Sequence, residues 1–336
     1  MQIMSFGIIW VVPVVLGLAV GPTQAAAPLI PVACSSAWES SDVQAIAFAP
    51  DGTIFTANYH AGYVGHFSAG GAEISSRSLP RGPAGGVFWP VGIDVDALGN
   101  VHVSDFNNGC VYRCSPEGAV LDTLGWGVLV EPRGIACDRQ THHVYVCDGH
   151  GYAIREFDEA GELVRSIPAD WYLSDVALGD NGELYASAFN GRAYRFAADG
   201  SLLATWQPND AGPTAFSSLA RGVDGRIHIV HTNAARVRVL DEGLQEIGEW
   251  SLDCPGLSLE CWIGGDIVRL LTSVEIGGQG QTALGTGCTP GQIAVFPSVP
   301  VPAHSTTWGR VKTLYRWPAW SNRPRGVAGG AAIELR

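Results

Sequence analysis

Along most of the chain a short apolar run is followed by a turn bearing Asp or Gly. An alternating run ending on a polar side chain comes next. The first copy reads Ile46-Ala47-Phe48-Ala49-Pro50-Asp51-Gly52-Thr53-Ile54-Phe55-Thr56-Ala57-Asn58. The second spans Gly92-Ile93-Asp94-Val95-Asp96 to Val101-His102-Val103-Ser104-Asp105, and the third Gly134-Ile135-Ala136-Cys137-Asp138 to Val144-Tyr145-Val146-Cys147-Asp148. A period of two between turn residues predicts a β-hairpin. The anchors Ile46, Ile93, Ile135, Val176 and Leu219 stand 47, 42, 41 and 43 positions apart, which predicts a sixth copy at Trp262-Ile263. Each copy continues into a third strand, such as Cys110 to Cys114, and a Gly-ending turn, such as Glu117-Gly118. A repeat of this length with three to four strands is the arithmetic of a propeller, and closure into a ring removes the open edges a solenoid would leave. The expected fold is an all-β, six-bladed β-propeller over residues 42–302.

The second and third copies carry proline or arginine, Gly-Ile, an acidic turn, an alternating strand and Ser-Asp or Cys-Asp. In this they resemble the NHL repeat, and the likeness covers roughly residues 42–300. It implies six blades. The NHL family includes peptide- and protein-binding modules, RNA-binding modules and secreted metal-dependent lyases of the peptide-amidating type. Those lyases place histidines just before the glycine that opens the innermost strand; here the positions hold Val91, Arg133 and Ser174.

The ends read differently. Residues 7–20 are apolar and short, followed by Thr23-Gln24-Ala25-Ala26-Ala27, so residues 1–25 read as a signal peptide for an exported chain, whether secreted, periplasmic or at the cell surface. A retained membrane anchor is the rival reading, but the run falls short of the roughly 20 residues a span needs, and the mature chain has no other. Residues 26–41 form an N-terminal segment, within which 28–34 is expected to supply an outer strand that closes the ring. Residues 274–291, rich in Gly, Gln and Thr, read as a surface loop. The tail 303–336 holds six basic residues and one acidic one, with Trp308, Val311, Leu314 and Tyr315 on one helical face. It reads as a short amphipathic tail for docking on the body or for sorting.

Composition narrows the partners. The net charge of -12 excludes nucleic acid as an expected ligand, because phosphates call for a basic surface. All eight cysteines lie beyond residue 25, which fits an oxidising compartment. Cys254 with Cys261, and Cys34 with Cys288, are the disulfide candidates; Cys110, Cys114, Cys137 and Cys147 leave the connectivity open.

Strand order places the blade-entry residues and the second-to-third strand loops on one face. Entry positions there are Trp89, Arg133, Trp171, Tyr172, Phe216 and Trp262; the loops add Tyr59, Phe106, Asn107, Phe189 and Asn190. Aromatic rings beside Asn and Arg are the chemistry of recognition surfaces. His60, His150 and His231 share this face, and three converging imidazoles would make an open site for zinc, with calcium the other metal considered. No cofactor is otherwise called for. Gly-x-Ser-x-Gly, His-Glu-x-x-His and a phosphate loop are all missing from the sequence. The leading reading is an exported binding module for a peptide, a protein or a glycan. The alternative is a channel-sited enzyme, a metal-assisted lyase or a lactonase-like hydrolase.

Overall fold

The computed structural model describes residues 36–40, 43–81, 85–208, 216–231, 236–251, 260–263, 266–269, 271–276, 282–286 and 291–296. The signal segment, the basic tail, Cys34, Cys254 and Cys288 lie outside them. No helix among the described residues is long and apolar enough to cross a membrane.

After β1 (Ser36–Ser40), four-stranded antiparallel sheets follow one another. The first blade is β2 (Val43–Phe48), β3 (Ile54–Asn58), β4 (Tyr63–Phe67) and β5 (Glu73–Arg77). The second is β6 (Pro90–Val95), β7 (Val101–Asp105), β8 (Cys110–Cys114) and β9 (Val120–Leu124). The third is β10 (Pro132–Cys137), β11 (Val144–Asp148), β12 (Ala153–Phe157) and β13 (Leu163–Pro168). The fourth is β14 (Leu173–Leu178), β15 (Leu184–Ala188), β16 (Ala193–Phe196) and β17 (Leu202–Trp206). The fifth is β18 (Phe216–Arg221), β19 (Ile227–His231), β20 (Arg236–Leu240) and β21 (Glu246–Ser251).

The six-bladed expectation is corrected to five blades of this consecutive kind. The stretch taken for a sixth copy, around Trp262, forms only a separate two-stranded hairpin, β22 (Glu260–Ile263) with β23 (Asp266–Arg269). The remaining sheet is composite. It comprises β24 (Leu271–Ile276), β25 (Thr282–Thr286) and β26 (Gly291–Phe296), with β1 added on the edge of β26. β24 lies beside β18 on one side and β2 on the other. Two expectations change with it: 274–276 and 282–286 are strand, so 274–291 is not one surface loop, and the added edge strand is Ser36–Ser40, within 26–41 but beyond 28–34.

Burial follows position in the blade. The second strands β3, β7, β11 and β15 are buried along their whole length, since each lies between two strands of its sheet and between neighbouring blades. The anchors Ile46, Ile93, Ile135, Val176 and Leu219 all sit buried on innermost strands, and the last four cluster with apolar residues of the preceding blade. Outer strands such as β5 and β17 stay largely exposed.

Candidate functional site

Each innermost strand departs from ladder register near its start: between Pro90 and Ile93, Pro132 and Ile135, Leu173 and Asp175, Phe216 and Leu219. A bulge of this kind turns a side chain away from the regular pleat. In β10 it contains Arg133. The glycine after it allows the next blade to close in: a Cβ on Gly134 would stand 2.0 Å from Asp175 Oδ1 and 2.5 Å from Asp175 Cα.

The Arg133 guanidinium packs among three rings, with its carbon 4.9 Å from the centroid of Phe106 and 4.8 Å from those of Tyr172 and Phe189. Blades two, three and four thus contribute to one cage. Arg133 Nε donates to the Tyr172 hydroxyl at 2.7 Å, and that hydroxyl donates to Glu131 Oε2. His150 Nδ1 lies 2.5 Å from the same carboxylate oxygen, and its ring meets Tyr172 edge-on at 5.1 Å. Burial, and then the bond to Glu131, push Tyr172 up to about 12, so it stays a neutral phenol that relays between cation and carboxylate. Among the described residues the two terminal nitrogens of Arg133 have no hydrogen-bond or ion-pair partner.

An aromatic shelf continues from the cage. Trp89 stacks near Phe106 at 6.5 Å, and Tyr59 meets Trp89 at 5.5 Å and Phe106 at 6.4 Å. His60 stands edge-on to Tyr59 at 4.7 Å. The shelf is fixed from below. Asp105, at the end of β7, accepts from the Trp89 amide at 3.2 Å and from Asn108 Nδ2 at 2.6 Å. Asp148 does the same for Val130 and Glu131, both at 3.0 Å. Asn107 and Asn190 serve the loops themselves, Asn107 donating to the Val87 carbonyl and Asn190 accepting from the Arg192 amide. Trp171 is exposed and joins none of these ring contacts among the described residues. At the loop position that Gly62, Gly109 and Gly191 occupy with positive φ, the third blade has Tyr152, at φ 45° and exposed. A side chain held in the left-handed region is strained, and such strain gathers at functional loops.

The cage edges a central channel of about 330 Å³ lined by the innermost strands. Its wall holds two acids that sequence reasoning missed, Asp94 and Asp175. Asp94 accepts from the Val95 amide and, across the blade boundary, from that of Cys137, both at 2.7 Å. Asp175 likewise accepts from Val176 at 2.9 Å and from Leu219 of the fifth blade at 3.0 Å. Desolvation raises both, Asp175 to about 7, with Asp94 adding a like charge. The available signal was an acid inside an otherwise apolar inner strand.

Other candidates fall elsewhere. Phe216 pairs in register with His231 across β18 and β19, and Trp262 belongs to the β22–β23 hairpin; the side chains of these three lie outside the description. Among the described residues no group of three or more His, Cys, Asp or Glu is placed to hold a metal. Cys110, Cys114, Cys137 and Cys147 are buried free thiols, so none of these four is paired with another. His143, at the turn before β11, bonds Glu156 at 2.7 Å.

The fold has solved counterparts. A streptogramin B lyase structure is similar with TM-score 0.59 and 13% identity, covering 77% of this chain and 97% of that one. A catalytically inactive virginiamycin B lyase from Staphylococcus aureus with quinupristin is similar with TM-score 0.57 and 12% identity, covering 76% and 81%. A protein of unknown function from Bacteroides caccae gives 0.50 and 14%, covering 63% and 86%. At these identities the likeness is one of β-propeller fold. No family model matches the chain, and no curated relative does.

Proposed function

We propose that this chain is an exported binding module, a propeller of NHL type, whose aromatic loop face recognises a peptide, a protein or a glycan. The observation that carries the reading is Arg133. A guanidinium caged by Phe106, Tyr172 and Phe189 is held in place while its terminal nitrogens stay open to a ligand. Rings offering flat apolar faces beside a fixed cation suit sugars and peptides alike. Peptide and glycan arrays probed with the chain from residue 26 onward test it. Arg133→Ala is expected to weaken captured ligands by roughly 1.5–3 kcal/mol, the range for a hydrogen bond to a charged group. Thermal melts should barely change, since the cage lies at the rim of the channel. Arrays that stay blank, or binding indifferent to Arg133, would sink the reading.

A second reading, a channel-sited lyase or hydrolase, is favoured by Asp175, whose value near 7 suits acid–base work. The streptogramin B lyase likeness is in keeping with it. Stoichiometric zinc or calcium in the purified protein would favour this reading over the first.

A further inference from the structure

The channel carries charge of both signs in a fixed order. At the loop end stands Arg133, whose terminal nitrogens have no partner among the described residues. Beside the very next residue of β10, Gly134, the wall presents the carboxylate of Asp175. Asp175 bonds the Val176 and Leu219 amides, and among the described residues no Arg or Lys forms an ion pair with it. The arginines at the far mouth are otherwise engaged. Arg221 holds Asp180 and Glu242, and Arg139 reaches the Val95 and Phe48 carbonyls. A volume of about 330 Å³ is at the small end of ligand pockets and has room for one long side chain. The rest of a longer ligand then lies outside, where the Tyr59, Trp89 and Phe106 rings offer a shelf.

We infer that the ligand of the loop face is a peptide with a free carboxyl terminus and a basic last residue. Arg133 takes the carboxylate through paired hydrogen bonds, the last side chain runs into the channel toward Asp175, and the body of the peptide crosses the aromatic shelf. A cation brought against Asp175 restores the ionised carboxyl that burial disfavours, so an uncharged side chain of equal length lacks that gain. The inference rests on the loop face being a binding surface.

Four synthetic peptides of one common body test it, ending in lysine or norleucine, each as free acid and as amide. Titrated against the wild-type chain, the lysine acid is expected to bind at least tenfold more tightly than its amide and than the norleucine acid. Arg133→Gln should level the acid–amide difference, and Asp175→Asn the lysine–norleucine difference. The norleucine comparison holds even if Asp175→Asn fails to fold. Equal affinity for acid and amide, or for lysine and norleucine, overturns the inference. If the peptides bind without regard to their ends and Trp89→Ala abolishes that binding, this inference fails and the loop-face reading stands. If none binds and the arrays are also blank, both fail.

Discussion

Two arginines line opposite mouths of one channel and are held in different ways. Arg221, at the hairpin end, bonds Asp180 at 2.6 Å and Glu242 at 2.7 Å. Arg133, at the loop end, has three π faces and one neutral hydroxyl around it, and Glu131 is linked to it only through Tyr172. An arginine already matched by carboxylates steadies the scaffold. One immobilised by rings keeps its hydrogen-bonding edge for something else, because ring faces hold the cation without using its N–H groups. The same contrast separates the two ends of the blades: at the hairpin end acids cap turns, as Asp51 does for Thr53, while the loop end gathers exposed aromatic rings.

The largest expected effect comes from the residue that lets the loop end form. Gly134→Ala would place a methyl 2.0 Å from Asp175 Oδ1 and 2.5 Å from its Cα, and backbone has little room to yield. A loss of roughly 3 kcal/mol is expected, at the upper end of overpacking costs, measured by denaturant unfolding. A loss under about 1 kcal/mol, on the same scale of overpacking, would mean the third and fourth blades can move apart, and the caged arginine would no longer count as fixed.

The loop end was also the more legible one. Regular hairpins fix which loops share a face, so Tyr59, Trp89, Phe106, Arg133, Tyr172 and Phe189 could be gathered from strand order alone. Their partners could not. Strand order places Trp89 beside Arg133, whereas Phe106 stands next to the guanidinium and Trp89 one ring further out. The composite sheet escaped for another reason. Its inner strand carries buried Val274, 55 positions after Leu219, because the β22–β23 hairpin interrupts the repeat; extrapolating the spacing lands on that insertion. Asp94 and Asp175 were hidden because an alternating strand has polar positions by design, and only the closed ring turns those positions toward a channel.

A smaller effect sharpens the comparison through pH. Desolvation raises Asp175 from 3.8 to about 7. The folded chain therefore keeps that proton to near neutrality, while the unfolded chain releases it near pH 4. Its stabilising share is complete below pH 4 and is lost as pH rises through about 7. Between pH 5 and 8 wild type should lose on the order of 2 kcal/mol relative to Asp175→Asn, which cannot titrate. His228, which burial holds down at about 4, destabilises the fold progressively as pH falls below its ordinary 6.5 and so opposes this trend. It is present in both proteins, and the difference between them isolates Asp175. Parallel stability curves would show that the channel wall is wetter than its geometry implies.

The smallest effect is expected at the hairpin mouth, and it bears most directly on the contrast between the two arginines. The partners of Arg221 are well exposed, Asp180 at 75% and Glu242 at 52%, so water and salt screen the attraction. Its Nε is buried with no partner among the described residues, a cost that sets back part of the gain. Arg221→Ala should thus destabilise by only about 0.5 kcal/mol, as exposed pairs usually do. It should leave capture on peptide and glycan arrays unchanged, where Arg133→Ala weakens it. Were Arg221→Ala to weaken capture as much as Arg133→Ala, the ligand would have to reach through the channel to the far mouth. The two ends would then form one site, and the distinction between a scaffold arginine and a recognition arginine would be lost.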